Sequence, residues 1–268
     1  MPRILYKYLD IDGAIAMLTN RTLRFSNATK QNDPFDCHPN LIDHSSAADG
    51  APTEEWGRLM VFTEENRAEN DRDNTWFCSL SKIKDSIPMW SYYGRNHTGV
   101  CIGLNIDKVR QNTPQLFGMT HLEPLVCEVQ YKDILQRPSG GYDLWYYQLT
   151  TKAQDWAHEQ EVRLVMPYAT RNYLAYTEEL LEREKKGEII HDREFPRDMP
   201  IRDGECLEAI YLGIKINKEK KIEIIQKIKA INPNIKLYQM RVDENAFRLK
   251  AQDITNIQCT SDIELKKK

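Results

Sequence analysis

The chain has 268 residues, 41% hydrophobic and 29% charged, with a formal net charge of −3. That is enough apolar material for a sizeable core, and the near-balance of charge excludes an overall basic pull toward nucleic acid or anionic membrane. No apolar run approaches the roughly 20 residues needed to span a bilayer, and MPRILYKYLD lacks the apolar stretch of a secretory signal, so a cytoplasmic, membrane-free protein is expected.

Residues 4–9 (ILYKYL) read as a short strand, and 10–20 (DIDGAIAMLTN) as a helix capped by Asp10 or Asp12, with Ile11, Ile15 and Leu18 on one face. TLRFS (22–26) is a second strand. NDPFDC (32–37) follows as a turn: the residue before Pro34 is pushed out of the helical region, Asn32 bonds its own backbone two residues on, and Phe35 anchors the turn in the core. Residues 42–73 read as a mobile loop, rich in Ser, Ala, Asp and Gly over 43–56, and then a charged helical segment over 57–71. NTWFCSLS (74–81) resumes a strand, and IPMWSYYG (87–94) is a short helix opened by Pro88 and ended by Gly94. GVCIGLNI (99–106) and PLVCEVQY (124–131) are two further strands.

From 142 to 158 the pattern is aromatic and helix-compatible, and it runs into EQEVRLVMP (159–167), where Val162, Leu164 and Met166 alternate as in a strand. The charged run at 177–195 reads as a solvated helix and loop. Residues 205–245 hold a strand, helix, strand unit: LEAIYLGI, a helix over 217–231 with Ile224, Ile225, Ile228 and Ile231 at helical spacing, an NPN turn and IKLYQMRV. A crossover of that length implies a parallel strand pair. The basic tail ELKKK is a frayed end. The expected fold is one α+β domain spanning 1–268, a mixed, mostly antiparallel sheet flanked by helices.

Six cysteines, at 37, 78, 101, 127, 206 and 259, show no Cys-x-x-Cys pair and no zinc spacing, so reduced thiols and no bound metal are expected. Three clusters could carry chemistry. In NDPFDC the turn leaves Asp36, with Cys37 and His38, as a possible acid/base or ligand group. MWSYYGRNHTG (89–99) gathers Trp90, Tyr92, Tyr93, Arg95, Asn96 and His97, a mixture suited to a base with a phosphate or ribose, although rings at this spacing also serve as core. In WAHEQEVR (156–163), Glu159 and Glu161 would share a strand face roughly 7 Å apart. Arg163 continues that face, so Glu161 and Arg163 form either an ion pair or part of a site in which one glutamate stabilises developing positive charge on a sugar and the other polarises an acceptor.

On LYKY (5–8), LRFSN with NDPFDC (23–37), FCSLS with MWSYYGRNHTGVCIGL (77–104), KAQDWAHEQEVRLV (152–165) and IYLGIKI (210–216), the chain resembles a widespread bacterial family, the domain of unknown function 2971. More distantly, its order of an opening strand with a polar residue, a helix, a second strand, a Ser-x-Ser strand and a Glu-x-Glu strand entrance is similar to the NAD-dependent ADP-ribosyltransferase fold. That resemblance implies NAD as substrate and a protein or nucleic-acid acceptor. Lys7 would lie near the first motif, Ser79 and Ser81 in the second, and Glu159 and Glu161 in the third. Lys7 stands where that family has Arg or His, so Arg24 or His97 would supply the role. Asn32, Asp36, Trp90 and Tyr93 complete the expected nucleotide site, with Glu161, Glu159 and His97 catalytic. The implied activity is NAD-consuming transfer or glycohydrolysis, as a toxin or antiviral-defence effector. A non-catalytic nucleotide sensor acting through 90–99, or a metal-dependent nuclease using Asp33, Asp36 and His97 or Glu161, are the alternatives.

Overall fold

The computed structural model of the protein describes residues 3–111, 123–139, 144–166, 186, 197–201 and 205–256. It is an α+β fold built on a mixed, mostly antiparallel sheet. β1 (Ile4–Leu9), β2 (Thr22–Asn27), β3 (Trp76–Ser81) and β4 (Val100–Asn105) are joined by β5 (Leu125–Glu128), β8 (Glu161–Val165), β9 (Arg197–Pro200), β10 (Leu207–Leu212), β11 (Lys236–Val242) and β12 (Leu249–Asp253), while β6 (Gln130–Lys132) and β7 (Thr151–Ala153) form a separate parallel pair. The strand order is β12-β11-β10-β4-β1-β3-β2-β9, with β8 pairing β3 and β5 alongside. The helices are α1 (Ile11–Asn20), α2 (Glu54–Asp73), α3 (Ile87–Tyr92), α4 (Ile106–Gln111), α5 (Leu144–Thr150) and α6 (Lys218–Ile231).

Local chemistry explains the element ends. Asp10 caps α1 by accepting from the Gly13 amide at 2.7 Å, and Asn217 caps α6 in the same way through Lys220. β2 alternates, with Leu23, Phe25 and Asn27 inward, whereas β4, flanked by β1 and β10, is buried at every position. Ile224, Ile225 and Ile228 of α6 join Ala14 and Leu18 of α1 in the main core, which covers one face of the sheet through Leu80, Ile102, Val162, Leu164 and Ile210. On the expected crossover, β10 and β11 are parallel, with Ala209 opposite Lys236, and β10 extends the sheet by pairing antiparallel with β4.

Several expectations change. The stretch 124–131 breaks at Val129 into β5 and β6, and the presumed helix over 142–158 is α5, then β7, then a 3-10 turn over Gln154–Glu159. In the 42–73 segment the loop is short, holding a 3-10 turn at Ser45–Ala48, and α2 begins at Glu54 with Thr53 as its cap. Phe35 does not anchor the 32–37 turn, being 58% exposed; Asp33 closes it instead, accepting from the Phe35 amide at 2.9 Å. The run at 177–195, Lys186 apart, the tail and Cys259 lie outside the described residues. The five described cysteines are free and buried. No helix among the described residues is long and apolar enough to cross a membrane.

Candidate functional site

The face of the sheet opposite α1 and α6 carries the polar half of two alternating strands. On β3, Trp76, Cys78 and Leu80 enter the main core, leaving Phe77, Ser79 and Ser81 for the other side; on β8, Val162 and Leu164 enter the core, leaving Glu161 and Arg163. The antiparallel register sets Ser79 opposite Arg163 and Ser81 opposite Glu161. Beside them the sheet opens, because β1 and β3 share one register pair, Tyr6 with Ser81, whereas β1 and β4 pair along six. The resulting cleft, about 190 Å³, is lined by Lys7, Asn32, Ser79, Ser81, Tyr93, Lys152, Glu159 and Glu161, among others. Lys7 spans its wall by donating to the Ser79 carbonyl at 3.0 Å.

Beneath the cleft lies a fully buried charge cluster. Arg163 donates from Nη2 to both carboxylate oxygens of Asp36, at 2.8 and 2.7 Å, and from Nε to Glu161 at 2.9 Å. Its Nη1 donates to the Leu149 carbonyl and to Cys37 Sγ, and its plane lies 4.3 Å from the Phe77 ring centroid. The Lys152 ammonium contacts Glu159 at 2.6 Å, Glu161 at 3.4 Å and Asp36 at 3.6 Å. Tyr93 donates its hydroxyl to the other oxygen of Glu159, and Tyr131 accepts from the Glu161 amide. The 32–37 turn delivers Asp36 through a left-handed Cys37, φ 55°.

The electrostatics follow from the pairing. Burial raises the Glu161 carboxyl, but Arg163 and Lys152 outweigh it and hold the group down at about 2. Burial likewise opposes charge on Lys152 and Arg163, yet the surrounding carboxylates hold both above their ordinary values. Burial, then the Glu159 carboxylate, pushes the Tyr93 hydroxyl up, and burial does the same to the Cys37 thiol, which makes it a poor nucleophile. Lys152 stands among three carboxylates where a divalent cation would otherwise be drawn. No group of His, Cys, Asp and Glu placed to hold a metal is found among the described residues.

Of the residues expected from sequence, Lys7, Asn32, Ser79, Ser81, Tyr93, Glu159 and Glu161 therefore share one cleft, with Asp36 just behind it on Arg163. The two glutamates do not alternate along one strand: Glu159 ends a 3-10 turn, and Gln160, at φ 43°, redirects the chain before Glu161 opens β8. The other three expected residues lie elsewhere. Arg24 sits on the β2–β9 edge, its guanidinium held by Asp198 at 2.8 and 2.9 Å. Trp90 is core, donating to the Lys84 carbonyl and packing edge-on against Tyr8. His97 pairs through Nε2 with Ser91, and burial, then Lys215, lowers its pKa. Asn32 bonds Tyr93 rather than its own backbone. Sequence reasoning missed Lys152 and Tyr131; the one trace of Lys152 is a lysine amid an apolar and aromatic run, 7 residues before Glu159.

Residues 89–164 match the model of a family described as Protein of unknown function (DUF2971). That segment carries the last four residues of α3 (89–92), all of β4, and Lys152, Glu159, Glu161 and Arg163. No curated protein and no solved structure matches the chain.

Proposed function

We propose that this chain, whose residues 89–164 match the DUF2971 family model, binds the nicotinamide–ribose end of NAD in the β1–β3 cleft and breaks its N-glycosidic bond. The observation that carries this reading is the convergence of Lys7, Ser79, Ser81, Glu159 and Glu161 on one cleft, the residue set that the ADP-ribosyltransferase resemblance implies. The C1′–N bond breaks, nicotinamide leaves with the bonding pair, and water or an acceptor nucleophile forms the new C1′ bond and loses a proton. Positive charge develops on the ribose as nicotinamide leaves, and the carboxylate-rich floor of the cleft stabilises it. Glu159, whose outer oxygen is capped by Tyr93, accepts a ribose hydroxyl in exchange for that phenol. Lys7 has ammonium protons left after its bond to Ser79 for a phosphate oxygen. A cleft of about 190 Å³ holds only the reacting end of a dinucleotide, so the remainder lies on the surface. The acceptor is a protein or nucleic acid, as a toxin or defence effector acting in the cytoplasm would use.

The test is nicotinamide release from NAD, followed by chromatography, with and without protein or nucleic-acid acceptors. Glu159→Gln should lower the rate by roughly a hundredfold while leaving a cooperative melt. Absence of release from the wild type under all these conditions rejects the reading.

One observation favours a second reading, a nucleotide sensor without catalysis. Both oxygens of Glu161 are already engaged by Arg163 and Lys152, so the cluster resembles a rigid floor more than a reactive group. A rise in melting temperature with NAD, without turnover, would support it.

A further inference from the structure

A second cavity, of about 430 Å³, lies between α2 and α5, lined by His44, Glu64, Arg67, Asp71 and Gln148 among others. Gln148 is 3% exposed. Its amide nitrogen is committed to the carbonyls of Cys37 at 2.9 Å and Ala68 at 3.4 Å, which fixes the amide orientation. Among the described residues its Oε1 is consequently a buried acceptor with no donor, and Nε2 of His44 is buried without a partner as well. Natural proteins leave few such atoms unpaired, because each carries the full desolvation penalty of a polar group. The charges are also unequal: Arg67 is taken by Glu64 at 2.7 Å, while no hydrogen bond or ion pair to the Asp71 carboxylate is found among the described residues. Burial outweighs the opposing pull of Arg67 and, with a smaller push from Glu64, leaves the Asp71 pKa raised. His44, Glu64, Arg67 and Leu144 also line an adjoining cavity that runs out to Trp56, Leu59 and Met60, three large apolar side chains left exposed.

We infer that these joined cavities bind an organic ammonium ion with an apolar tail, its NH groups donating to Gln148 Oε1 and the Asp71 carboxylate and its tail lying along Trp56, Leu59 and Met60. The acceptor-rich inner end needs a donor, and the net negative charge selects a cation. An anion would face Asp71 and Glu64 instead. Trp56 offers a ring face to the part of the cation that stays near the mouth.

Calorimetric titration of the full chain with n-hexylammonium, beside hexanol and hexanoate as tail-matched neutral and anionic probes, tests this. Saturable binding of hexylammonium is expected, at least tenfold tighter than either control. Asp71→Asn and Trp56→Ala, both on the accessible side of α2, should each weaken it about tenfold without changing the melting temperature by more than a few degrees. No saturable binding of hexylammonium, equal binding of hexanol or hexanoate, or full affinity in Asp71→Asn would each overturn the inference.

Discussion

A guanidinium with no exposed surface must satisfy all its donors internally, and Arg163 does so on Asp36, Glu161, Leu149 and Cys37. Replacing it with Met would strand two buried carboxylates, and urea denaturation should show a loss of about 3–5 kcal/mol. Arg163→Lys should recover little of this, because an ammonium cannot reproduce the two-nitrogen fork that Nε and Nη2 close on Glu161 while Nη2 also serves Asp36. Glu161 makes the pH dependence calculable in sign. Its folded pKa, about 2, lies below its ordinary carboxylate value, so its contribution is fully present above roughly pH 4.5 and is lost as pH falls toward 2. Melting temperature should therefore drop across that window, and more shallowly in Glu161→Gln, which lacks the titrating group. At this scale the Glu161–Arg163 pair was legible, since alternation in EVRLV puts both on one face. Lys152 and the Asp36–Arg163 bond were not, because a lysine's burial and a partner 127 positions away leave no periodic trace.

Among the elements, the loop after α3 is held by backbone geometry. Arg95, Asn96 and His97 follow one another at φ 46°, 54° and 67°, a left-handed run disfavoured by about 1–2 kcal/mol per residue outside glycine. It is held by amide bonds from Asn96 to the Ser91 carbonyl and from His97 to the Trp90 carbonyl, and by the bond that Lys215 returns to the His97 carbonyl. A Cβ at Gly213 would run into that carbonyl. Gly213→Ala should accordingly lower stability by more than about 2 kcal/mol, whereas Arg95→Gly should raise it by roughly 1 kcal/mol, both read from chemical denaturation. Sequence placed a ligand loop here on its residue types; the backbone makes it a clamp between α3 and the end of β10. The α1 cap and the 205–245 unit were readable because caps and isoleucine spacing are local signals. The division of 142–158 was not, since α5 has seven residues and β7 only three, and it is the pairing of Thr151–Ala153 with Gln130–Lys132 that makes the second a strand.

At the scale of the molecule, the segment that matches the family model is not a folding unit. Its β4 draws both sheet neighbours, β1 and β10, from outside residues 89–164, and β8 takes β3 from outside as well. A fragment of those residues alone should give no cooperative thermal transition by circular dichroism, whereas the full chain should. Asp36, Ser79 and Lys7 likewise come from the first third of the chain, so the cleft exists only once the whole sheet has closed. The α+β class followed from the alternation of short strand and helix signals, but strand order depends on long-range pairings such as β1 with β4 that no local window contains.

The single register pair between β1 and β3 also gives the sheet an internal edge. Among the described residues, amides on that side of β1 have no neighbouring strand to lock them except near Tyr6, although β4 on the other side is buried at every position. In hydrogen–deuterium exchange the seam would stand out as a narrow, quickly labelled strip through the middle of an otherwise protected sheet, and any molecule that fills the cleft would be recognised by the slowing of that strip alone.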